Sequence, residues 1–103
     1  MPDKSSFGEL IRKMRQDREQ PLRVVAAAVG IDSTLLSKLE LGSRYPTEAQ
    51  LSKLAKLFKV PVAELEGRVI ADKVTSEYGD KAAALHAAQI IKERAAPYKA
   101  SLK

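Results

Sequence analysis

Apolar side chains recur at helical spacing in five successive segments of this chain. Phe7, Leu10, Ile11 and Met14 fall at i, i+3, i+4 and i+7, which gathers them on one side of a helix, and Ser5 or Ser6 stands where its cap is needed. The charged stretch from Arg15 to Gln20 ends at Pro21, a residue accepted at a helix start but not inside a helix. Leu22, Val25, Ala26 and Val29 form a second stripe, whose alanines let another helix come close, and Gly30 ends it. Only Ile31 and Asp32 separate that glycine from a third helix, Ser33 to Leu41, with Asp32 as its N-cap and Gly42 as its stop. After the polar loop Ser43 to Pro46, the run Thr47-Glu48-Ala49-Gln50 spells a capping box, and Leu51, Leu54, Ala55 and Phe58 supply a fourth stripe. Pro61 opens a short fifth helix that holds Val62 and Leu65.

Past Gly67 the pattern loosens. Val69, Ile70, Val74 and Tyr78 predict one further helix, and Asp80 is placed to cap another that runs from Ala82 to about Ala95, where Pro97 is expected to stop it. No strand-like alternation or internal repeat interrupts this order. The expected class is therefore all-α, with a domain over residues 1–67 and a C-terminal helical extension over residues 68–103.

Composition narrows the function classes. A chain of 103 residues needs most of its apolar side chains to close a core, which leaves little for a deep catalytic cleft. Lysine and arginine number 18 against 13 acids, a formal charge of +5, so a polyanion is a better partner than a cation. There is no cysteine, which excludes disulfides, thiol catalysis and the common structural zinc sites and fits a reducing cytoplasm. The single histidine, His86, is too few for a histidine-based metal site. No apolar run approaches the roughly 20 residues that span a bilayer, so no membrane partner is expected. With no activated nucleophile, paired carboxylates or metal cluster in view, the sequence reads as a non-enzyme that needs no cofactor.

The function-bearing feature is the pair of short helices from Leu22 to Leu41, joined by a tight turn that contains a glycine and capped at the second start, a helix-turn-helix unit. Val25-Ala26-Ala27-Ala28-Val29-Gly30-Ile31 followed by Leu36-Ser37-Lys38-Leu39-Glu40-Leu41-Gly42 resembles the Cro and phage-repressor (XRE-type) helix-turn-helix family. The resemblance runs from Phe7 to Leu65 and includes Arg44-Tyr45-Pro46-Thr47 and Leu57-Phe58-Lys59-Val60. It implies a five-helix, lambda-repressor-like DNA-binding domain whose third helix enters the major groove. It also implies that Arg15 and Glu40 form a partly buried ion pair between the first and third helices, although on spacing alone they could equally be unpaired surface charges.

The residues agree with that expectation. With Leu36 and Leu39 facing the core, Ser33, Thr34, Ser37 and Lys38 turn outward as base-reading candidates. Lys38 can donate to guanine, whereas the hydroxyls discriminate less sharply. Phosphate contacts are expected from Arg23, Arg44 and Lys38. Tyr45 either bonds a phosphate or shields its loop. The chain departs from the family at Leu22, where many members carry a phosphate-binding glutamine, and at Leu35 and Leu41, where polar residues are frequent. Leu35 either touches a thymine methyl or packs under a neighbouring loop, and packing is favoured.

The sequence thus reads as a transcriptional regulator of double-stranded DNA. The competing reading is a protein-binding adaptor or toxin-neutralising antitoxin that uses its C-terminal helices for its partner. Residues 68–103 carry seven cations against four acids and also Val69, Ile70, Val74, Tyr78, Leu85, Ile90 and Ile91. That apolar surplus is buried either against a twin or against its own domain, and the twin is favoured, which predicts a homodimer. Its operator would be an inverted repeat, because one recognition helix reads too few base pairs to be selective.

Overall fold

The computed structural model describes residues 5–79 and 81–101 of the chain. All regular structure among them is helical: α1 (Phe7–Asp17), α2 (Leu22–Ala28), α3 (Ser33–Leu41), α4 (Glu48–Phe58), α5 (Val62–Tyr78) and α6 (Ala82–Ser101). The chain divides into two compact units, Met1–Asp72 and Lys73–Lys103, and α5 contributes to both.

The starts of α1, α3 and α4 are each fixed by a local device. Ser6 and Glu9 close a reciprocal capping box on α1, and Thr47 and Gln50 do the same on α4, so two orphan amides are satisfied at each end. Asp32 accepts from the Leu35 amide at 2.7 Å and starts α3. At the end of α2, Gly30 adopts the left-handed conformation (φ 74°). There the Ile31 amide reaches back to the Ala26 carbonyl at 2.9 Å and that of Gly30 to Ala27 at 3.2 Å. This paired closure reverses the chain within a few residues and delivers it to Asp32.

The core of this unit is built from Phe7 and Ile11 of α1, Val25, Ala26 and Val29 around α2, Leu36 and Leu39 of α3, Leu51, Leu54, Ala55 and Phe58 of α4, and Leu65 and Val69 of α5. Arg18 locks the far side. Its guanidinium donates to the carbonyls of Leu57 (2.9 Å) and Phe58 (3.3 Å) and lies over the Phe58 ring, a cation placed where α4 leaves its last carbonyls unpaired.

Two expectations are corrected here. The helix opened by Pro61 is not short: α5 runs unbroken through Gly67 to Tyr78. A glycine costs about 1 kcal/mol in a helix interior, but Leu65 and Val69, one turn apart and on either side of Gly67, are both buried in the core and hold the helix through it. Residues just past Gly67 accordingly belong to the first unit. The Asp72 carboxylate accepts from the Phe7 amide at 3.0 Å, and Arg68 donates to the Ser5 carbonyl at 2.6 Å while pairing with Glu64. Pro97 does not stop α6 either, since the helix continues to Ser101. Proline removes one intrahelical bond, and the strong helix formers Ala95, Ala96, Lys99 and Ala100 around it carry the backbone on. The expected cap Asp80 lies outside the described residues.

In the second unit, the described side chains include no buried one. Val74, Tyr78, Leu85 and Ile91 are exposed, and α6 alternates alanine, aliphatic and charged residues without a sharp polar face. No helix among the described residues is long and apolar enough to cross a membrane.

Candidate nucleic-acid interface

The helix-turn-helix unit is α2, the Gly30 turn and α3, and α3 packs against both α1 and α2. Its seat on α1 is set at two points. Gly8 is buried, and a Cβ there would collide with the backbone carbonyl oxygens of Leu39 and Glu40, so α1 meets the last turn of α3 at backbone distance only because position 8 has no side chain. Seven residues, or about two turns, further along α1, Arg15 grips Glu40 in a two-point ion pair, Nε to Oε2 at 2.7 Å and Nη2 to Oε1 at 3.0 Å. The two side chains are only 13% and 6% exposed, and the remaining Arg15 nitrogen, Nη1, donates to the Gln20 carbonyl at 3.0 Å. A planar fork that meets a carboxylate this way fixes orientation as well as distance.

The hydrogen bond to Glu40 raises the Arg15 pKa above its ordinary value, against the lowering effect of burial and with help from the Glu40 charge. A cation whose pKa rises on folding contributes stability that is complete below the ordinary arginine value and is lost only as pH climbs past the raised one. The Arg15 guanidinium is thus charged throughout the neutral range.

With its inner side fixed, α3 presents the opposite side outward. Thr34 and Lys38 are exposed and Ser37 half-exposed. They fall at i, i+4 and i+3, a single stripe away from Leu36 and Leu39, which are fully buried. Ser33 is half-buried at the first position of α3 and lies to one side of that stripe. Arg23 is exposed on the first turn of α2, and Arg44 and Tyr45 are exposed in the loop between Gly42 and α4. Leu22 and Leu35 are partly buried and pack against the core. Of the two open readings of Leu35, the structure therefore shows packing. The face thus offers hydroxyl donors and acceptors, one long cation and flanking guanidiniums, the chemistry that base edges and phosphates recognise.

A helix-turn-helix domain family model matches residues 6–66, more than half of the chain. The chain belongs to the helix-turn-helix domain family. It is 39% identical over 62 residues to the uncharacterized HTH-type transcriptional regulator RghRB of Bacillus subtilis (strain 168), covering 59% of this chain and 45% of that protein. It is 35% identical over 57 residues to the HTH-type transcriptional repressor RghR of the same organism, covering 54% and 42%. The chain thus spans less than half the length of these curated relatives.

Sequence reasoning missed three residues of this helix-turn-helix domain. Gly8 carried a signal, a glycine set between Phe7 and Ile11 in the first turn of an amphipathic helix, where it costs helix stability unless something approaches closely. Arg18 and Asp72 carried none, because their partners lie 39, 40 and 65 residues away.

Proposed function

We propose that this protein is a transcriptional regulator that binds double-stranded DNA and reads the major groove with α3. The observation that carries the proposal is the outward stripe of Thr34, Ser37 and Lys38 on a helix whose back is clamped to α1 by Gly8 and the Arg15–Glu40 pair. A reading helix must be held rigidly to discriminate between bases. The names of its relatives, a regulator and a repressor, support the same reading. In this reading Ser33, Thr34, Ser37 and Lys38 contact bases, and Arg23, Arg44 and Tyr45 contact phosphates. A DNA-bound regulator of this kind works in the cytoplasm.

We also propose that it binds as a homodimer on an inverted repeat with half-site centres about 34 Å apart. The exposed Val74, Tyr78, Leu85 and Ile91 of the second unit support a twin as the partner, since two reading helices must be presented together for useful selectivity.

Selection of bound sequences from random duplex DNA tests the core of the proposal, and failure to enrich any sequence overturns it. On the selected site, Lys38→Ala is expected to lose about 1–3 kcal/mol of binding and to relax preference at one base pair. Arg44→Ala is expected to weaken binding to all sequences alike and to reduce the salt slope by about one unit. Light scattering on the chain carrying Leu85→Glu and Ile91→Glu tests the dimer: a halved mass supports it, and a parent protein that is already monomeric at micromolar concentration sinks it.

A further inference from the structure

We propose that Leu41 is a specificity-determining residue that contacts the C5-methyl group of a thymine; this rests on the DNA-reading function argued above. Leu41 closes α3 and is 73% exposed, so its side chain is open to an outside partner. Its place on the helix is what gives that exposure meaning. Thr34, Ser37, Lys38 and Leu41 stand at i, i+3, i+4 and i+7, the same repeat that gathers core residues on the inner sides of α1 and α4, here directed outward. At about 100° per residue, Leu41 lies about 20° from Thr34 around the helix and about 140° or more from Leu36 and Leu39. It therefore lies within the angular range of the reading face, at its C-terminal end.

The surroundings leave room for a duplex there. Gly42 follows in the left-handed conformation, and a side chain built on it would meet nothing within 4 Å. Lys38 stands one turn back on the same face, and Arg44 is exposed in the loop that follows α3. An apolar side chain on a face that also carries cations fits a surface that is apolar at one point and anionic around it. Leucine has no donor or acceptor with which to read a base edge. In the major groove the one apolar group on those edges is the thymine methyl. Leu35, the other leucine that sequence alone makes a candidate for such a contact, is packed against the core and leaves the role to Leu41. Seven residues at about 1.5 Å put Leu41 roughly 10 Å along α3 from Thr34, so the two side chains face different base pairs.

The test uses the full chain and its selected duplex, with each thymine replaced in turn by deoxyuridine, which lacks only the C5 methyl. Binding is measured by fluorescence anisotropy at one salt concentration for the parent protein, Leu41→Ala and Leu41→Met. One replacement per half-site is expected to weaken the parent about fourfold, the worth of one buried methyl. The same replacement should leave Leu41→Ala unaffected, and Leu41→Met should retain the dependence. The side chain is exposed, so thermal melts of the variants should match the parent. If the parent binds its site and Lys38→Ala weakens it, but every replacement costs parent and Leu41→Ala alike, the Leu41 assignment falls and the DNA-reading function stands. If Leu41→Ala lowers the mass seen by light scattering without altering base preference, Leu41 is a protein contact and the assignment also falls. If no sequence is selected at all, both fall together.

Discussion

The two units of this protein close their apolar surface differently. Among the described residues, those up to Asp72 contribute every side chain of the buried cluster, and their helix ends are tied off by capping boxes, left-handed turns and the Arg18 and Asp72 contacts. Beyond Lys73 no described side chain is buried, and Leu85 at 72% and Ile91 at 62% exposure stand out. A helix pair with leftover aliphatic surface does not stabilise itself in the way that five helix segments around a shared core do. Changes at the buried positions of the first unit therefore act on folding, whereas those at its outward α3 stripe or at the exposed aliphatic residues of the second unit leave that core intact.

The sharpest way to break that contrast is to empty the first core. Leu39→Ala, at a fully buried position of α3, is expected to cost about 2–5 kcal/mol, measured by urea unfolding. A loss under about 1 kcal/mol would mean that the core closes elsewhere. Next comes the clamp. Glu40→Ala leaves a mostly buried guanidinium with only the Gln20 carbonyl and is expected to cost about 3 kcal/mol. It should weaken DNA binding even at temperatures where the variant remains folded, because α3 loses its orientation. A variant that melts lower but binds undiminished when folded would make the pair purely structural. The smallest effect is expected in the other unit, where Leu85→Ala should shift the folding stability of the first unit by no more than about 0.5 kcal/mol. Any larger shift would show that the second unit supports the first core directly.

Those predictions follow from two kinds of information. The starts of α1, α3 and α4 and the ends of α2 and α3 were legible in the sequence, since Ser6, Asp32 and Thr47 act on amides within three residues of themselves, and Gly30 and Gly42 supply the left-handed conformations that close α2 and α3. A cap or a glycine stop is decided locally and needs no knowledge of the rest of the chain. The outward stripe of α3 was legible for the same reason, as it is the complement of Leu36 and Leu39 on a helix of known period.

Tertiary structure decided the rest. Sequence spacing left Arg15 and Glu40, 25 residues apart, equally able to pair or to stand alone, and only the packing of α1 on α3 closes them to 2.7 Å. Gly67 reads as a boundary by its own propensity, yet burial of Leu65 and Val69 outweighs about 1 kcal/mol of helix cost and carries α5 through it. Leu35 and Leu41 are the same residue type on one short helix. The first packs against the core and the second projects outward, a difference of rotation about the α3 axis that is set by its seat against Gly8 and α2. What acts within a turn of helix was fixed by the sequence alone; what needs two distant segments to meet was fixed by the shape of the shared core.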